Sequence, residues 1–189
     1  MTDRPIILSA PSVLSTFART KTQTRRLVRW PSDFRPPEDD PRRGQIEATE
    51  YGLRMRTHGG VLGIPMRAYA CQGDLLWVRE TWCDGYPGSA DPILYRATYH
   101  GGCDHKWRPS IFMPRWASRL SLRVTAVRVE RLQSISEEDA VAEGVHRSLS
   151  IPGETARDVY RGLWDTINGK RGPWITNPFV WVVSYEIET

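Results

Sequence analysis

Among the 26 Lys and Arg residues of this 189-residue chain only Lys21, Lys106 and Lys170 are lysines. A chain that otherwise chooses Arg gives each Lys weight, because burial or neighbouring cations can neutralise an amine, whereas a guanidinium stays charged. Lys106 and Lys170 stand in Gly-rich polar stretches and read as composition. Lys21 opens the run Lys21-Thr22-Gln23-Thr24-Arg25-Arg26, which on its own is equally an exposed basic turn. A second group, Trp107, Arg108, Arg115, Trp116 and Arg119, pairs rings with guanidiniums. That combination can stack bases and neutralise phosphate, or it can be a core plug at Trp116 beside solvated arginines. Cys103 and His105, with Cys71 and Cys83, fit no paired zinc spacing, so no metal is expected.

Several stretches together resemble a family. They are residues 19–26 (RTKTQTRR), 73–82 (GDLLWVRETW) and 107–119 (WRPSIFMPRWASR), with residues 134–145, Leu163 to Asn168 and the closing NPFVWV from Asn177. The chain is similar to phage- or prophage-type members of the ASCH domain family, within the PUA-like superfamily, over most of its length except residues 31–65. The family motif is Gly-x-Lys with an Arg five places on. Lys21 and Arg26 match it, while Arg19 occupies the Gly position, where a turn of positive φ costs Arg more than Gly.

The resemblance to the bacterial enzymes that deacetylate N4-acetylcytidine implies three catalytic residues, Lys21, Thr24 and Glu80. It brings Arg26, Trp77, Arg115 and Trp116 as substrate-binding side chains, with no cofactor. The chemistry is coherent. Amide hydrolysis needs a nucleophile, a base to activate it and an acid for the leaving amine. A Thr hydroxyl needs help, and Lys21 could be its base if burial or Arg25 and Arg26 depress its pKa. Glu80 could be the acid if Trp77, Val78 and Trp82 raise its own. The plainer reading makes Glu80 an ion-pair partner of Lys21 or Arg26.

The elements that must position these residues follow from periodicity. Residues 5–9 read as a short strand, and residues 10–19 as a helix through Val13, Leu14 and Phe17. Residues 21–28 fit either a strand or a helix continuation. Residues 31–65 hold five prolines and several glycines, with no surviving period, and read as an insertion with a short hairpin near residues 46–55. Strands follow at residues 75–82 and 93–98, then one helical turn at residues 113–118. The alternating residues 120–132 make the longest strand, with a bulge expected near its middle. Ser136 caps a helix ending at Gly144, residues 155–167 form another stopped by Gly169, and residues 179–187 are the last strand.

Strands that do not alternate with helices exclude a doubly wound sheet. The expected fold is mixed α/β: one domain over residues 1–189, a PUA-like small β-barrel of about five to six strands with flanking helices. A net charge of +4 permits an anionic partner without demanding one. No apolar run approaches the ~20 residues of a membrane span, and the first residues lack a signal-peptide pattern. A cytoplasmic protein, monomeric or weakly dimeric, is expected. Three functions stay open. One is an amidohydrolase of N4-acylated cytosine nucleosides or bases. The second is a single-stranded RNA-binding module, with or without ribonuclease activity. The third is a phage regulatory protein without catalysis.

Overall fold

The computed structural model describes residues 2–30, 46–49, 52–57, 60–64, 68–85, 91–101, 106–146 and 153–188. The chain is mixed α/β. Its centre is a five-stranded sheet of β1 (Asp3–Ile7), β2 (Gln23–Leu27), β6 (Leu75–Arg79), β9 (Ser121–Arg131) and β10 (Phe179–Ile187), in the order β1-β6-β9-β10-β2. β1 lies parallel to β6, and the other neighbours are antiparallel. β3 (Ile46–Thr49), β4 (Gly52–Thr57) and β5 (Gly60–Ile64) make a separate antiparallel sheet. The hairpin expected near residues 46–55 is its first turn, with Ile46 opposite Met55. β7 (Trp82–Asp84) pairs with β8 (Ile93–Tyr95).

The expected barrel does not close among the described residues. β1 and β2 are the two ends of the strand order. In place of a ladder between them, one side chain crosses: Arg26 Nη2 donates to the Ile7 carbonyl at 2.7 Å. The expected strand over residues 75–82 also breaks at Glu80 and Thr81. β6 is gripped by β1 and β9, whereas Trp82 exchanges backbone bonds with Arg108 and pairs with Tyr95. The strand expected over residues 93–98 stops at Tyr95, where Thr98 and Tyr99 fold back onto the Tyr95 carbonyl.

β9 bulges as expected. Ser184 faces Ala126 and Tyr185 faces Val124, so Thr125 is the extra residue. β9 and β10 supply the buried sheet face. Leu122, Val124, Val183 and Tyr185 pack with Ile6, Leu76 and Val78 on one side. Val180 and Val182 pack with Leu132, Tyr160 and Trp164 on the other. Each fully buried aliphatic contributes roughly 1.5–3 kcal/mol.

Three helices flank the sheet. α1 (Ala10–Phe17) is capped by the Ser9 hydroxyl. α2 (Glu137–Ala142) is capped by Ser136 and opens with three carboxylates at its positive end. α3 (Ala156–Asn168) starts in a capping box of Thr155 and Asp158. Beyond α3 the Gly169 backbone is right-handed. What requires glycine there is space, since a Cβ would stand 2.4 Å from the Asp165 carbonyl oxygen.

Candidate functional site

The open side of the sheet, between the edges of β1 and β2, is a cleft of about 330 Å³. Ile7, Leu8 and Ser9 leaving β1 form one wall, and Lys21 and residues 24–27 form the other. Leu163, Trp164 and Ile167 of α3 close the back, and Glu143 sits in the floor.

Lys21 reaches this cleft through a tight turn after α1. The amides of Thr20 and Lys21 both donate to the Ser15 carbonyl, at 3.0 Å. Arg19, the residue at the turn, has φ of 59°. The left-handed conformation is thus adopted by an Arg, at a cost of about 1–2 kcal/mol. Lys21 then forms an isolated antiparallel bridge with Glu143, and Thr22 N–H donates to the Ala142 carbonyl at 2.8 Å.

Lys21 is 4% exposed. Its Nζ donates to the Glu143 carbonyl oxygen at 2.8 Å and to Glu143 Oε2 at 2.7 Å. Burial pushes the Lys21 pKa down, and Arg25 and Arg26 push the same way. Glu143 opposes them, and the net direction is below the ordinary lysine value. The other Glu143 oxygen, Oε1, accepts from Arg25 Nη1 at 3.2 Å. Arg25 is itself buried; its Nη2 donates to Glu130 and Asp139, at 2.7 and 2.8 Å, its Nε to Glu130 at 3.2 Å, and its Nη1 also to Gln23 Oε1 at 3.4 Å. Burial pushes the Asp139 carboxyl up, but Arg25 and Arg128 outweigh it and hold it below the usual range. Burial and the negative charge of Glu143 lift the Tyr160 phenol well above its ordinary value, so Tyr160 lines the cleft as a neutral hydroxyl.

Thr24 is buried in β2 and lines the same cleft, and its hydroxyl makes no hydrogen bond among the described residues. The structure thus brings Lys21, Thr24 and Arg26 together. Glu80 is buried too, but Arg119 holds both its oxygens at 2.9 and 3.0 Å, and it is not among the residues lining the cleft, although its neighbour Thr81 is. Trp77 is buried beneath the guanidiniums of Arg79 and Arg115, 4.6 and 5.8 Å from its ring centre. Arg115 pairs with Asp3 at 3.1 Å. Trp116 is 71% exposed and meets Trp82 edge-on, so it plugs no core. Trp107 and Arg108 line a different cleft with Cys83 and Phe112. Cys103 and His105 lie outside the described residues.

Glu143 and Tyr160 are the site residues that sequence reasoning missed. A signal for Glu143 was present. It stands at the C-terminal end of α2, the negative end of the helix dipole, where a carboxylate is disfavoured unless a cation answers it. The chain matches no protein-family profile, no curated protein and no solved structure.

Proposed function

We propose that the cleft is the active site of an amidohydrolase that removes acyl groups from N4-acylated cytosine nucleosides or bases. The observation that carries this reading is the hydrogen bonding of Lys21. A neutral amine has two N–H bonds and one lone pair. Lys21 Nζ gives Glu143 two hydrogen bonds, at 2.7 and 2.8 Å, in a cleft that Thr24 also lines; when the ammonium, whose pKa burial lowers, releases its third proton, both remaining N–H bonds stay with Glu143 and the lone pair is left to act as base.

The reading gives Thr24, Lys21 and Glu143 the roles of nucleophile, base and orienting carboxylate; Lys21 and Glu143 are hydrogen-bonded, while Thr24 and Lys21 share the cleft without a hydrogen bond between them. Thr24 Oγ1 attacks the acyl carbonyl as its proton passes to Lys21 Nζ. The resulting ammonium is stabilised by Glu143. It returns the proton to the departing N4 amine as the C–N bond breaks, leaving an acyl ester on Thr24. Water, deprotonated by the same amine, then hydrolyses the ester and regenerates the hydroxyl. In this scheme Glu143 is the carboxylate beside Lys21, and Glu80, held by Arg119 away from the cleft lining, takes no part. The cleft, at about 330 Å³, lies at the small end of the ~300–1,000 Å³ usual for small-molecule sites. That size favours one nucleoside unit over a strand of RNA. The likeness of residues 19–26 and 73–82 to the ASCH family supports the same reading. It also takes the five-stranded sheet as PUA-like, with the cleft where a barrel would close.

The test is incubation of the full chain with N4-acetylcytidine and its longer-acyl analogues, with products detected by mass. Thr24→Ala, Lys21→Met and Lys21→Arg should each lower turnover by about 10³-fold or more, because the members of a catalytic unit fail together. Guanidinium cannot act as base at neutral pH, so Lys21→Arg separates proton transfer from charge. Full activity in Lys21→Arg, or no deacylation by the wild-type chain, would overturn the proposal.

A further inference from the structure

Arg26 is the cleft's unanswered cation. Lys21 has Glu143, and Arg25 has Glu130, Asp139 and Glu143. Arg26 has no carboxylate among the described residues. Its one hydrogen bond there is from Nη2 to the neutral carbonyl of Ile7, at 2.7 Å. Its Nε is buried without a partner. A guanidinium cannot shed its proton, so a buried, unpaired N–H on it is unfavourable until something accepts it. The fork geometry of that group suits an oxyanion with two oxygens to offer.

The surroundings narrow the class of anion. The hydroxyl-bearing residues Ser9, Thr81 and Ser110 line the same cleft as Arg26. Leu163, Trp164 and Ile167 give it an apolar wall that suits a flat ring. A ligand with a planar base at one end and a phosphate at the other uses both features, whereas a neutral nucleoside leaves Arg26 unanswered. We propose that Arg26 forms a phosphate subsite in this cleft and that the preferred ligand is a cytosine mononucleotide, not the free nucleoside. This rests on the reading of the cleft as the site for N4-acylated cytosine compounds, and it names their phosphorylation state.

Binding of the deacylated products separates the two claims, because it needs no turnover. Cytidine 5′-monophosphate and cytidine would be titrated calorimetrically against the full chain, alone and with inorganic phosphate as competitor. A short oligocytidylate would serve as the strand control. The expected result is at least tenfold tighter binding of the monophosphate than of cytidine. Inorganic phosphate should weaken the monophosphate and leave cytidine unchanged. Arg26→Gln should bring the two affinities together, weakening the monophosphate at least tenfold more than it weakens cytidine. Phosphate competition uses the wild-type chain, so the subsite stays testable if Arg26→Gln fails to fold.

Equal affinities in the wild-type chain would overturn the subsite, as would a preference that survives in Arg26→Gln, or no binding of either ligand. Tighter binding of the oligomer than of the monophosphate would overturn the mononucleotide in favour of an RNA backbone. An Arg26-dependent preference for the monophosphate, with no deacylation of any N4-acyl compound, would uphold the subsite and remove the amidohydrolase.

Discussion

Lys21 and Glu143 are respectively 4% and 6% exposed, so each depends on the other's charge. The two deletions are not equivalent. Lys21→Met leaves Glu143 paired with Arg25. Glu143→Gln leaves Lys21 with no carboxylate, and takes from Arg25 one of three. Breaking a buried pair so that a charge is stranded costs about 3–5 kcal/mol. Glu143→Gln should therefore approach that cost in urea unfolding, and Lys21→Met should cost less. The reverse order would show that Arg25 does not hold Glu143.

The pH dependence follows from the same burial, which sets the Lys21 pKa below its ordinary 10.5. Between the folded value and 10.5 the unfolded chain keeps a proton that the folded chain has released. Stability contributed at this position therefore rises with pH across that window and is flat below it. Tyr160 and Tyr185 act oppositely above about pH 10, because their raised phenols hold protons that the unfolded chain loses. Subtracting the Lys21→Met profile from that of the wild-type chain removes them. With only three lysines, isotope-labelled side-chain amines can be followed individually by NMR. Lys21 should titrate below the ordinary lysine value of 10.5, and lower still in Glu143→Gln, which loses the charge that favours the ammonium. A Lys21 titrating at or above 10.5 would remove it from the role of base.

At the level of elements, the site is made where the start of β2 meets the end of α2, and Gly144 sets how closely they approach. Its φ is 85°, and an added Cβ would stand 2.9 Å from the Cβ atoms of both Lys21 and Ser15. Gly153 offers a matched control, with φ of 84° and nothing within 4 Å. Gly153→Ala should cost about 1–2 kcal/mol for the left-handed backbone alone. Gly144→Ala should cost more and should also shift the Lys21 titration, which Gly153→Ala should leave in place. Equal costs and an unmoved Lys21 would mean that α2 shifts freely and does not fix the amine.

What was legible at this scale was what depends on local pattern. The alternation of β9, the Ser136 cap and the bulge all follow from side-chain period and turn chemistry. β2 was ambiguous because it is an edge strand with two consecutive arginines. Arg25 is buried only because Glu130, Asp139 and Glu143 come from far along the chain to meet it. Glu80 and Glu143 are both buried acids, and no local pattern says which faces Lys21. That was decided by Arg119, which takes both oxygens of Glu80, and by α2, which delivers Glu143 to the cleft.

The whole molecule divides its work between a sheet that builds the site and a segment inserted after β2. All four pairings of the five-stranded sheet are made without β3, β4 or β5, which pair only with one another. Among the described residues β3, β4 and β5 therefore contribute no rung to the ladder that carries Lys21, Thr24 and Arg26, although β3 packs against β9. Replacing residues 34–60 by a short Gly-Ser link should leave a soluble chain with one cooperative thermal transition. The Lys21 titration should be unchanged, because every partner of its amine lies in the retained part. Nucleotide affinity is a separate reading. The cleft's lining residues all remain, so unchanged affinity places the whole ligand within the sheet and α3. Reduced affinity with an intact melt and an intact Lys21 assigns the segment a part in covering the ligand. Insolubility, or loss of the cooperative transition, would instead show that the three-stranded sheet holds up the core beside it, and that the insertion is part of the fold.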